Sequence, residues 1–162
     1  MHYAPLFEYL PDLAEKETRT IMFLKNDSSH IPPGNYGLVE YYCVEPDCDC
    51  RRVMLHVVSE REREIVAVIN FGWESRQFYE KWFGSKDKSW IDDLKGPVLN
   101  MSFAQASYAR ELLMATKDLA LSDLAYVNRL KQHYEQFKRF EKTKQVGPGG
   151  GKSGEKTFEK PG

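Results

Sequence analysis

Apolar positions along this chain keep two different rhythms. Up to about Phe71 they fall in short runs that alternate with polar residues or fill both faces, which is the strand pattern. From Glu74 onward they recur every three or four residues, which is the helical pattern. The first half opens with Leu6 to Glu15, a short helix interrupted at Pro11. Thr18 to Leu24 then reads as a strand, and Lys25 to Gly34 as a loop rich in serine, proline and glycine. Tyr36 to Val44 is a second strand. Arg51 to Ser59 is a third, with Val53, Leu55 and Val57 on one face and Met54, His56 and Val58 on the other. Glu64 to Phe71 is a fourth, and its Ile65–Ile69 run is apolar on both faces, as a covered strand requires. Short turns between the last three predict an antiparallel meander.

In the second half, Phe78 with Trp82 and Tyr79 with Phe83 are spaced four apart in a helix over Glu74 to Phe83. Gly84 to Asn100 reads mainly as loop, with one helical turn at Ile91 to Leu94. Ser102 and Gln105 have capping-box spacing and predict a helix from there to Lys117. Ser122 or Asp123 caps a last helix to Lys142, whose stripe is Leu124, Val127, Leu130, Tyr134 and Phe137. Strands first and helices afterwards predict an α+β domain over residues 1–142. Its antiparallel sheet has about four strands, with the helical C-terminal half packed on one face. Residues 143–162, rich in glycine and lysine with little to bury, read as a flexible tail.

Charge alters this picture in one place. The net charge is −1, yet residues 129–162 hold nine basic and four acidic side chains, a surplus of five that leaves the remainder at −6. A basic end on an acidic body suits a nucleic acid or an acidic partner, and suits a solubilising appendage equally well. No apolar run reaches the roughly 20 residues of a membrane helix, and the N-terminus lacks the basic-then-apolar pattern of an export signal. The chain therefore reads as cytoplasmic, without a membrane partner. Gly149 to Ser153 falls short of a phosphate loop, because Val146 stands where the first glycine belongs. Trp73, Trp82 and Trp90 read as core between sheet and helices, with an exposed stacking surface as the alternative.

The chemistry is concentrated between the second and third strands. All three cysteines, Cys43, Cys48 and Cys50, lie within eight residues. In a reducing compartment, clustered thiols are ligands or redox groups more often than a disulfide frame. If Cys43 closes one strand and Cys50 opens the next, a hairpin end gathers them, and Pro46-Asp47 favours the turn that returns Cys48. Zinc bound by thiolates fits such a tip, as a structural site. The fourth ligand is left open among His133, His2, Asp47, Asp49 and a water. His56 and His30 lie too far along their strands. His133 also reads as a packed or hydrogen-bonded core histidine beside Leu130 and Phe137. Unbound free thiols and a redox pair are the alternatives to metal. Arg51 and Arg52 read as partners of Asp47 and Asp49.

Gly37 to Cys43, Pro46 to Val53 and the Lys131-Gln132-His133-Tyr134 segment resemble an uncharacterised family of bacterial proteins associated with a C-terminal SEC-C zinc motif. The layout from Val146 to Phe158 is similar to that motif, but every tail cysteine of the pattern is absent. In that motif paired cysteines bind zinc, and in translocase ATPases the module contacts a chaperone; without those cysteines the tail cannot bind zinc in that way. The resemblance implies no activity. Three functions are therefore expected in order: a zinc-stabilised interaction or adaptor domain with a protein partner, a nucleic-acid-binding protein using the basic end, and a metal-dependent enzyme. For the last, Glu40, Glu45, Asp47 and Asp49 lie near the tip in sequence, yet no nucleophile–base pair stands out.

Overall fold

The computed structural model describes residues 2–25 and 30–146. It is an α+β structure with a six-stranded antiparallel sheet and a helical C-terminal half. The strands are β1 (Tyr3–Pro5), β2 (Arg19–Phe23), β3 (Gly34–Cys43), β4 (Arg52–Ser59), β5 (Glu64–Gly72) and β6 (Val98–Leu99). The helices are α1 (Leu6–Tyr9), α2 (Pro11–Glu17), α3 (Arg76–Phe83), α4 (Lys88–Lys95), α5 (Ala109–Thr116) and α6 (Leu124–Val146). A π-helical turn, Lys117–Leu121, follows α5 directly.

The expected meander is the centre of the sheet: β3, β4 and β5 pair in sequence, all antiparallel. Two strands share the outer edge of β3. Its first half pairs with β2, Leu38 opposite Arg19, and its last residues pair with β1, Cys43 opposite Tyr3. Pro5 is tolerated in β1 because an edge strand need not donate on both sides. Cross-strand partners put Leu38 opposite Val57, Glu40 opposite Leu55, and Leu55 opposite Ile69. These residues are buried on one face, under α6. Tyr41, Met54, His56 and Asn70 lie on the opposite face.

Several expectations shift. The helix predicted to begin at Ser102 starts at Ala109, because Gln105 is used otherwise. Its side-chain oxygen accepts from Val68 N at 3.0 Å and its amide donates to Asn100 O at 2.8 Å, so it ties a loop to β5. A full helix, α4, occupies the stretch read as one turn, with Asp87 accepting from Ser89 N at 2.9 Å as its cap. The last helix passes Lys142 to end at Val146. Asp123 caps its start by accepting from Ala125 N at 3.0 Å. Its buried stripe is rotated from the expected one. Leu124 is 78% exposed, while Tyr126, Leu130, His133, Tyr134 and Phe137 face inward. Of the tryptophans, Trp73 and Trp82 pack against the core, whereas Trp90 is exposed and stacks on Phe83 at 6.0 Å. The tail reading beyond Val146 lies outside the described residues. No helix among those described is long and apolar enough to cross a membrane.

Candidate metal centre

Cys43 ends β3, and its neighbour Val44 donates to His2 O at 2.9 Å, so β1 pins this side of the tip. Residues 45–48 form a turn with Pro46 at its second position, where a fixed φ suits it. Cys48 N donates back to Glu45 O at 3.2 Å. Arg51 then takes a left-handed backbone conformation, φ 50°. Such a residue breaks the extended progression just before β4, which lets the chain turn Cys50 inward instead of continuing the strand. The outcome is that the sulfurs of Cys43, Cys48 and Cys50 all lie within 4.8 Å of one another. Cys43 and Cys50 are buried and Cys48 is half-buried. Three thiolates around one zinc ion, each about 2.3 Å from it, need separations of about 4 Å. The described conformation is within a small adjustment of that.

The tip is clamped from two sides. From α6, the Tyr134 hydroxyl lies 3.3 Å from Asp49 Oδ1 and 3.4 Å from Cys48 O, and accepts from Arg51 N at 3.4 Å. One turn on, Lys138 Nζ donates to Glu45 O at 2.8 Å. From α3, the Tyr79 hydroxyl donates to Arg51 O at 2.8 Å. Gly72 makes room for it: a Cβ there would sit 2.3 Å from the Tyr79 oxygen. Arg51 is held by Asp49 at 2.9 Å and Glu74 at 3.4 Å, and lies over the Phe78 ring. The pairing expected for Arg51 is thus present. Arg52 departs from it, pointing to the other sheet face.

The thiols perturb one another. A hydrogen bond from Cys50, partly opposed by burial and helped by Glu45 N and the Lys138 charge, lowers the Cys43 pKa to about 6. Burial raises that of Cys48, while hydrogen bonding to Cys43 and burial raise that of Cys50.

No other histidine, cysteine or carboxylate among the described residues brings a ligand atom into the group. His133 is excluded as the fourth ligand by its own bonds. Its Nδ1 lies 2.6 Å from Glu40 Oε1, and its Nε2 is bonded to Glu17 Oε2. The ring is 1% exposed. It is the hydrogen-bonded core histidine of the sequence reading. Burial alone would lower its pKa, but the hydrogen bonds and charges of Glu40, then Glu17, raise it. Asp49 is turned to Arg51 and Tyr134. Glu40, grouped with the tip in sequence, belongs to this buried network, where it also accepts from the Tyr42 hydroxyl. Tyr134, Lys138, Tyr79 and Tyr3 support the tip; Tyr134 and Tyr79 were read from the sequence only as helix-face residues, and Lys138 and Tyr3 carried no signal.

A cavity of about 600 Å³ opens beside Cys48, lined also by Asp47, Asp49, Lys138, Arg139 and Lys142. No protein-family profile, curated protein or solved structure matches this chain.

Proposed function

We propose that the tip binds zinc through Cys43, Cys48 and Cys50, and that the ion stiffens the contact surface of a non-catalytic interaction domain with a protein partner. The observation that carries this reading is the convergence of three sulfurs on a clamped turn. A sulfur-only donor set favours a soft or borderline cation. A dication also relieves the repulsion among ionised thiols that burial would otherwise magnify. Untagged protein analysed by plasma mass spectrometry is expected to carry about one zinc per chain, and Cys48→Ser to lose most of it. Equal trace zinc in the two proteins would remove the proposal.

One observation favours a second reading. With no fourth protein donor among the described residues, a bound ion would keep a position for water, next to the basic groups of the cavity. Metal-bound water is a hydrolytic nucleophile near neutral pH. Cobalt-substituted protein separates the two readings. A visible spectrum that shifts on adding azide supports the open site and the enzyme; a spectrum indifferent to azide supports the closed one.

A further inference from the structure

The face of the sheet turned away from α6 holds a second cavity, of about 500 Å³. It lies within the size range of small-molecule sites. Its floor is Met54, His56 and Asn70 with Tyr41 alongside, and Asn100 and Phe103 border it from the loop that Gln105 ties to β5. Two features set it apart from an ordinary surface depression.

The first is Arg52. It is 7% exposed and lines the cavity. Its Nε donates to Leu94 O at 2.7 Å and its Nη1 to the Tyr3 hydroxyl at 3.2 Å. Both acceptors are neutral, and no carboxylate among the described residues pairs with it. A guanidinium removed from water without an anion is costly, and its flat fork matches a carboxylate in two parallel hydrogen bonds. The second is the aromatic wall. Tyr41 stacks on His56 at 3.8 Å, and Phe103 meets His56 edge-on at 5.3 Å. His56 is 5% exposed and its Nδ1 is buried without a hydrogen-bond partner. On the same wall the amides of Asn100 and Asn70 lie 3.4 Å apart.

We propose that this cavity binds a small aromatic carboxylate, with Arg52 taking the carboxylate, the ring lying against Tyr41 and Phe103, and Asn70 and Asn100 bonding a polar ring substituent. None of the three cysteines lines it, and Tyr3 is the residue that touches both sites. The ring and the charge are both required. A bare anion lacks the aromatic contact, and a neutral ring leaves Arg52 uncompensated.

The test is a titration of the full-length, isotope-labelled protein with benzoate, nicotinate and 4-hydroxybenzoate, beside benzamide and acetate. Side-chain resonances of Arg52, Asn70 and Asn100 are followed by nuclear magnetic resonance. Saturable shifts at these groups are expected with at least one aromatic carboxylate, at least tenfold tighter than with benzamide or acetate. Phe103→Ala, at a residue 39% exposed and removable without opening the core, is expected to weaken that binding at least fivefold with the rest of the spectrum unchanged. Arg52→Met is expected to abolish the preference for carboxylate over amide. If it does not fold, the Phe103→Ala comparison and the carboxylate-to-amide ratio on the wild type decide alone. The proposal is overturned by no saturable shift with any aromatic carboxylate, by equal affinity for benzoate and benzamide, or by binding indifferent to Phe103→Ala.

Discussion

Two polar clusters meet the same helix at adjacent residues, and they differ in how completely the protein closes them. Under α6, His133 gives both ring nitrogens to carboxylates of the chain, Glu40 and Glu17. At the tip beside it, three sulfurs converge with no fourth donor among the described residues. Burial is similar for the two, since Cys43 and Cys50 are as hidden as His133. What separates the two clusters here is whether the chain supplies the partner. Both ring nitrogens of His133 are taken by carboxylates of the chain, whereas no histidine or carboxylate among the described residues joins the three sulfurs.

The sharpest way to break this contrast is His133→Ala. Removing a buried partner leaves Glu40 uncompensated, and urea unfolding is expected to show a loss of about 3–5 kcal/mol, with or without zinc. A loss seen only in zinc-loaded protein would join the two clusters into one. Cys50→Ser should behave oppositely. It is expected to abolish the stabilisation that zinc gives the wild type, which is about 2.7 kcal/mol with free zinc at a hundredfold over its dissociation constant. Gly72→Ala forces Tyr79 off Arg51 O and is expected to cost about 1–3 kcal/mol as overpacking, with zinc affinity reduced. Tyr134→Phe, which removes only a hydroxyl from the tip, is expected to cost about 1 kcal/mol and weaken zinc by about tenfold.

Acidity separates the clusters as well. The folded pKa of His133 lies above its ordinary value near 6.5. The stability it contributes is thus complete below that value and is lost as pH rises through the folded one. Zinc at thiolates runs the other way, dissociating as pH falls and protons compete for sulfur. Unfolding of metal-free protein across pH 5 to 9 checks the first slope, which His133→Ala should flatten. Zinc release across the same range checks the second.

The central strands were legible because runs of branched and aromatic residues, eight or nine long and bounded by turn residues, have one reading. Val53, Leu55 and Val57 announce a buried face whatever lies against it. The short edge strands were not, since Tyr3-Ala4-Pro5 and Val98-Leu99 are too brief to show a period and exist only by pairing with β3 and β5. Ser102 and Gln105 misled for a related reason: the same side-chain chemistry that caps a helix can hold a loop to a strand. The cysteine convergence was readable from spacing because turn and ligands are local. The partners of His133 were not, since Glu40 and Glu17 come from positions 93 and 116 residues away in the chain. Only the folded arrangement reveals which carboxylates a buried histidine will meet.

Because His133 and Tyr134 are consecutive, α6 has its rotational setting fixed twice over. Turn the helix about its axis by a fraction of a residue and the imidazole leaves its carboxylates while the phenol leaves the cysteine turn. A change that rotates the helix therefore displaces the imidazole and the phenol together, as two keys cut on one shaft.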